Sequence, residues 1–303
     1  MLYLKFTSAI FLQTVPKLLL RIFRIFGIIR IMNQMQGVLT SVFKMDSEKG
    51  KEIGGGFTYF CHEFNKFIEL PEDKKSEIIS PIISVMKKLG KVADAVDRYE
   101  SLEEIKMNNL IKRAEEDKSS IHLIHQDSSV ELEGAVEEVV SSSKAALDAA
   151  VKILRPLWGI NLSTYGEAGN KVSSSLKRNV PVPFQPRVAK LITIIEKGEP
   201  WMRKLRDQRT KAEHQGISTV SPLSATIVEG KAEKQYPSIE EGMPAKEFIN
   251  IIYSNISCFL QDFIILSLAS KFYEGLIPII INGESGTKRK FGVKIEKITI
   301  PQN

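Results

Sequence analysis

Residues 244–274 read PAKEFINIIYSNISCFLQDFIILSLASKFYE, and large apolar side chains recur in this stretch at the spacing of an α-helix. The stretch is long enough to cross a membrane, but its interior contains Asn250, Asn255, Gln261 and Asp262. Such side chains are costly in a hydrocarbon layer. We therefore expect a buried helix at the centre of a bundle.

The chain before this helix shows helical periodicity from about residue 57 to residue 155. One amphipathic stripe covers residues 72–100, and Ser101 followed by Glu104 predicts the N-terminal cap of a new helix. A further helix is expected over residues 129–154. These three segments indicate a mainly α-helical protein.

Glycine and proline divide the middle of the chain. Residues 156–186 contain seven of them and are expected to be irregular. A helix over residues 187–197 should end at Gly198, a residue favoured just after a helix. The next helix should begin at Glu199–Pro200, because proline is tolerated in a first turn.

Strand signals are confined to the C-terminal part of the chain. Residues 218–229 alternate loosely between polar and apolar, and residues 231–237 resemble a polar turn. Residues 276–282 and 291–300 should pair as a hairpin, and a slip in the second alternation predicts a bulge. The predicted regions are an apolar basic extension (1–45), an N-terminal helical region (57–127), a helical bundle (128–275) and a C-terminal β-hairpin packed on it (276–303).

Positive charge is concentrated at the N-terminus. The chain has a net charge of +6, and residues 1–45 account for all of it with six Lys and Arg and no acidic residue. Residues 46–303 are therefore neutral as a whole. Binding of a nucleic acid by the body of the protein would require a local basic patch.

Residues 1–31 are apolar but interrupted by basic side chains, so no uncharged run approaches the roughly 18–20 residues of a membrane span. Three interpretations stay open. The segment is an interfacial helix attracted to anionic lipid, an acid-free targeting peptide, or an extension upstream of a start at Met32, Met35 or Met45.

Cysteine and histidine usage predicts neither a metal nor a cofactor. Cys61 and Cys258 lie far apart among apolar neighbours, which indicates buried thiols in a reducing compartment. His122 and His125 are three residues apart, but no thiolate or second ligand pair accompanies them.

Residues 201–214 read WMRKLRDQRTKAEH and should form a densely charged helix. On an ideal helix, Trp201 and Leu205 lie on the core face. Arg209 and His214 are then about 140° apart. The two side chains can meet only if the helix ends or bends before His214, or if two copies of the chain share a cleft.

The simplest interpretation of this segment is a solvated charged face. Arg206 and Arg209 would pair with Asp207 and Glu213 at helical distances, each pair contributing only tenths of a kcal/mol. Asp148 lies close to the apolar face of an earlier predicted helix, where an unpaired carboxylate is costly. Either Arg206 or Arg209 is the partner of that carboxylate, or Asp148 lies at a solvated edge of the helix.

The pattern R-x4-H near the end of a helix, preceded by a tryptophan and Leu-Arg-Asp, resembles the HEPN superfamily over about residues 129–273. The resemblance implies a HEPN-like helical bundle, metal-independent endoribonuclease activity in stress response or defence, and a homodimer in which two motifs face one another. Arg209 and His214 correspond to the catalytic pair. Thr210 occupies the polar position, where Asn, Asp or His is commoner.

The chemistry expected of a ribonuclease suits these residue types. Arg209 would hold the phosphate with assistance from Arg206, and His214 would transfer protons, because its ordinary pKa lies near neutrality. The 2′-hydroxyl would select RNA. The residues expected to support the site are Arg206, Thr210, Asp207, Glu213 and Asp148.

Two other classes of function stay open. The bundle could serve as a non-catalytic interaction or RNA-binding module. Alternatively, residues 1–31 could make the chain a peripheral membrane protein. The expected location is the cytoplasm, with membrane association if residues 1–31 bind lipid.

Overall fold

The computed structural model of the chain describes residues 49, 64, 67–116, 125–127, 130–166, 169–215, 220–228, 231–239, 242–280 and 291–295. The fold is mainly α-helical, as the sequence predicted. The helices are α1 (Glu72–Glu116), α2 (Val130–Ala150), α3 (Leu154–Trp158), α4 (Asn170–Asn179), α5 (Gln185–Gln215) and α6 (Ala245–Ala269). Short 3-10 helices cover Val151–Ile153 and Val182–Phe184.

The described strands form two small antiparallel sheets. In the first, β2 (Leu223–Val228) lies between β1 (His125–Asp127) and β3 (Lys231–Gln235). In the second, β4 (Leu276–Ile280) pairs with β5 (Phe291–Ile295). The predicted C-terminal hairpin pairing is therefore confirmed. The predicted bulge lies outside the described residues.

Helix α6 is the centre of the bundle and contacts α1, α2 and α5. Fifteen of its 25 residues are buried, which requires cover on more than one side. By length and composition α6 could cross a membrane, but 67% of the residues in its most apolar 18-residue stretch are buried inside the protein. The prediction of a buried bundle helix is confirmed.

Helices α1 and α2 share the most extensive contact between two described helices and run antiparallel. Arg98 of α1 pairs with Glu138 of α2 at 2.6 Å, and Lys106 pairs with Glu131 at 2.7 Å. Beyond these pairs, the C-terminal half of α1 covers β2 through a second, smaller apolar cluster. Helix α1 therefore joins the bundle to the three-stranded sheet.

The end of α6 is fastened to the elements that precede α5. The Lys271 ammonium lies 3.7 Å from the ring centroid of Trp158, and the Trp158 indole N–H donates to Ser270 at 3.1 Å. Arg187, near the start of α5, donates to the carbonyl oxygen of Phe272 at 2.9 Å. These contacts fix the N-terminal end of α5 against the bundle.

The predicted helix boundary at Ser101 is wrong. Helix α1 continues through this residue, and the Ser101 hydroxyl donates to the Asp97 carbonyl at 2.9 Å. A hydroxyl that bonds one turn back does not cap a new helix, and such bonding is common for serine inside helices. The capping-box pattern was thus a coincidence of spacing.

The predicted boundary at Gly198 and Pro200 is also wrong, because α5 continues through both residues. A side chain at Gly198 would point at the Met202 methyl, 2.7 Å away, and at Phe259 of α6, 3.6 Å away. Gly198 is buried, and the Met202 methyl on the next turn of α5 fills the space beside it, where α5 packs on α6. Packing against α6 therefore outweighs the local tendency of these two residues to end a helix.

Two further local predictions need correction. Helix α4 lies within residues 156–186, which were expected to be irregular, and residues 231–235 form β3 instead of a turn. Pairing with β2 explains the second difference, since register with a neighbouring strand is not visible in a polar sequence. Residues 57–63, including Cys61, lie outside the described part.

Gly169, at the start of α4, is closely surrounded by Tyr165 and by Ile195 of α5. It has φ +84°, and an added Cβ would lie 2.7 Å from the Ile195 methyl and 2.8 Å from the Tyr165 hydroxyl. Gly169→Ala should lower the free energy of unfolding by about 2–5 kcal/mol, because left-handed strain and a clash add. Urea denaturation measures this change.

The matched control is Gly134→Ala in α2. Gly134 is exposed and helical, and an added Cβ there meets no atom within 4 Å. This variant should gain about 0.5–1 kcal/mol from helix propensity. Equal effects at the two glycines would contradict the described packing around Gly169.

Candidate functional site

The last turns of α5 show the predicted orientation. Leu205 and Met202 are buried, while Trp201 is half-buried and packs edge-on against Phe259 at 5.9 Å between ring centroids. The prediction that Trp201 and Leu205 face the core is confirmed. Asp207 and Thr210, which follow, are exposed, whereas Arg206 and Arg209 are half-buried.

Helix α5 does not end before His214 but continues to Gln215. Four helical residues lie between Arg209 and His214, so the two are five helical steps apart, a rotation of about 140° and a rise of about 7.5 Å. The first predicted way of joining the two residues, a helix end or bend before His214, is therefore wrong. The side chains of Glu213 and His214 lie outside the described part.

The arginines and the polar residue of the motif have local partners. Arg206 donates to Asp207 Oδ1 through Nε at 3.1 Å and Nη2 at 2.9 Å, in a largely exposed pair. The Thr210 hydroxyl donates to the Arg206 carbonyl at 3.0 Å. Arg209 is half-buried. The expected pairing of Arg206 with Asp207 is confirmed, although the two residues are adjacent.

Asp148 is not a partner of the motif arginines, and this prediction is wrong. Its Oδ1 atom accepts the backbone N–H of Tyr165 at 2.7 Å and the Lys144 ammonium at 2.5 Å. Tyr165 is buried, so its amide needs an acceptor from the protein. Asp148 holds the segment after α3 against α2, which is a structural role.

Asp148→Ala should lower the free energy of unfolding by about 1–3 kcal/mol, because it leaves the Tyr165 amide without its acceptor. Asp148→Asn keeps an oxygen at that position and should lose less. Thermal and urea denaturation distinguish the two variants. A stable Asp148→Ala protein would argue against the structural role.

A second polar cluster between α1 and α6 was not predicted. The Tyr99 hydroxyl donates to Glu103 Oε1 at 3.0 Å, and both side chains are buried. Lys246 lies 4.0 Å from the same carboxylate. Nearby, Glu100 accepts from Asn250 and Lys49, both at 3.0 Å. The only signal in the sequence was carboxylates at the edge of an apolar stripe.

The two carboxyl groups of this cluster shift in opposite directions. Burial raises the pKa of Glu103, although the Tyr99 hydrogen bond and the charge of Lys246 oppose the shift. Burial also pushes the pKa of Glu100 upward, but hydrogen bonds from Asn250 and Lys49 outweigh it, and the net pKa is lowered. Glu103 is thus easier to protonate in the folded protein than in the unfolded chain, and Glu100 is harder to protonate.

These directions predict opposite effects of neutral substitutions. Because the pKa of Glu103 is higher in the folded protein than in the unfolded chain, protonated Glu103 stabilises the fold at low pH, and this stabilisation is lost as the pH rises through the folded-state pKa. Glutamine resembles the protonated side chain, so Glu103→Gln should raise the Tm at pH 7. A lowered pKa at Glu100 means the reverse, so Glu100→Gln should lower the Tm at pH 7. Both differences from wild type should shrink at pH 4, and Tm changes of the same sign would contradict the assignment.

The described residues include no cluster of three or more His, Cys, Asp or Glu side chains that could hold a metal ion. Comparisons with profiles of known protein families, with curated proteins and with solved structures found no match to this chain.

Proposed function

We propose that this protein is a HEPN-like, metal-independent endoribonuclease whose site is completed by two copies of the chain. The observation that carries the proposal is the unbroken course of α5 past His214. Arg209 and His214 lie on different faces of one helix end. A second copy, related by two-fold symmetry, can present its own Arg209 to that histidine.

In such a site, each residue has a defined task. Arg209 of one copy binds the scissile phosphate and stabilises the charge that develops on its oxygens. His214 of the other copy takes the proton of the 2′-hydroxyl as that oxygen bonds to phosphorus. The P–O5′ bond breaks, the departing oxygen receives a proton from the imidazolium, and a 2′,3′-cyclic phosphate remains.

A non-catalytic RNA-binding or interaction module is the second candidate, and a specific observation favours it. Arg206 and Thr210 both bond within their own helix. An active site would have to draw Arg206 away from Asp207. The pair is largely exposed, so this costs little. Residues 1–31 lie outside the described part, and lipid binding by them stays a prediction, as does a cytoplasmic location.

The test is cleavage of RNA in EDTA by wild type, Arg209→Ala, His214→Ala and an equimolar mixture of the two variants refolded together. Each variant alone should be inactive. In a mixed dimer one of the two sites keeps both residues, and half of the dimers are mixed. The mixture should therefore recover about a quarter of wild-type activity.

The outcomes separate the alternatives. Inactive variants whose mixture stays inactive would place both residues in a site within one copy. Cleavage by His214→Ala at the wild-type rate would refute the proposal. RNA binding without any cleavage by wild type would favour the non-catalytic module. Circular dichroism of each variant confirms that the helical fold is intact.

A further inference from the structure

Residues 169–210, which contain α4 and most of α5, form a strongly basic part of the chain. They contain ten Lys and Arg and three Asp and Glu, a net charge of +7. Because residues 46–303 are neutral as a whole, the rest of that body carries −7. The local patch that the overall charge could not reveal is therefore built from two consecutive helices that pack on each other.

The three acidic residues of this segment do not neutralise it, because each pairs with one neighbouring cation and the cations are in excess. The pairs are Glu196 with Lys177, Glu199 with Arg203, and Asp207 with Arg206. All three are on or near the protein surface. Seven of the ten cations take no part in these three pairs.

Three of those cations form a line that we call the lysine row: Lys190, Lys197 and Lys204. They are seven residues apart on α5, so they lie within about 40° of one another around the axis and about 10.5 Å apart along it. All three are exposed, and none has an ion-pair partner among the residues that the structure describes.

The lysine row follows the side of α5 that faces away from the core. The core side is formed by buried apolar residues at a different angle around the helix: Val188, Leu191, Ile195, Met202 and Leu205. The row spans about 21 Å and ends about 7.5 Å along the axis from Arg209. Arg209 itself lies about 140° around the axis from Lys204, so the row passes beside the candidate site on another face of α5.

We propose that the lysine row binds the phosphate backbone of RNA and holds the strand beside the end of α5 that carries the candidate site. The choice of RNA rests on the proposed function, whereas the choice of a polyanion rests on the charge and spacing of the three lysines. Point charges on flexible stems contact phosphates without reading sequence. The lysine row therefore supplies affinity, and cleavage chemistry stays with Arg209 and His214.

An anionic membrane fits this face less well than RNA. Helices that lie on membranes insert apolar side chains between the headgroups. The apolar side of α5 is already packed against α6, and between the lysines its outer face carries Thr193, Glu196 and Pro200, all exposed. A surface with nothing to insert is suited to an elongated polyanion in water.

The test measures binding of a fluorescent single-stranded RNA to full-length His214→Ala protein in EDTA across a salt series. Adding Lys190→Gln, Lys197→Gln and Lys204→Gln should weaken binding at about 0.1 M salt by tenfold or more. The slope of log affinity against log salt should fall by about 2, or about 0.7 for each phosphate that is no longer neutralised. The corresponding triple arginine variant should keep both affinity and slope.

The matched control replaces Lys88, Lys91 and Lys112 of α1 by glutamine. These lysines also have no ion-pair partner in the described part of the chain, and their replacement changes the net charge equally. Equal weakening by the two triple variants would overturn the lysine row as a specific surface, as would lysine-dependent binding to phosphatidylserine vesicles without RNA binding.

Failure of this inference is distinguishable from failure of the proposed function. If the wild-type protein binds RNA through the lysine row but cleaves none, the RNA-binding inference is supported and the proposed nuclease activity is refuted. If the wild-type protein cleaves RNA and the triple glutamine variant binds RNA as tightly as its parent, only the inference about the lysine row is refuted. Circular dichroism again confirms that each triple variant is folded.

Discussion

The apolar surface of α6 has to be covered on more than one side, and the arrangement of the other helices follows from that requirement. Helices α1, α2 and α5 each contact α6, and fifteen of its residues are buried. Burial of this size is the main favourable term in folding. The same helix is long and apolar enough to cross a membrane, and it is the packing of α1, α2 and α5 that makes it the buried centre of a bundle.

Cover by α5 has a direct consequence for the candidate site. Trp201, Met202 and Leu205 turn towards the core, and this sets the angle at which every later residue of the helix leaves the bundle. On the other sides of α5, Arg206 and Thr210 bond within their own helix and the lysine row faces outward. Packing of one face and charge on the other come from a single helical repeat.

Apolar periodicity predicted the elements that are buried along most of their length. It identified α6, the stripe of α1 and the core face of α5. It failed where tertiary contacts outweigh local preference: Ser101 looked like a cap, and Gly198 and Pro200 looked like a boundary, yet both helices continue. The acceptor for the Tyr165 amide could not be foreseen, since nothing in the sequence shows that Asp148 meets that segment.

Pro200 within α5 divides the helix mechanically. Proline has no amide hydrogen, so the carbonyl of Glu196 receives no bond from the next turn, and Gly198 beside it adds backbone freedom. The turns before this point are anchored by the core and by the contact of Arg187 with Phe272. The turns after it rest on Met202 and Leu205. The outer turns of α5 are therefore held in line by the packing of Met202 and Leu205 and not by an unbroken set of backbone hydrogen bonds.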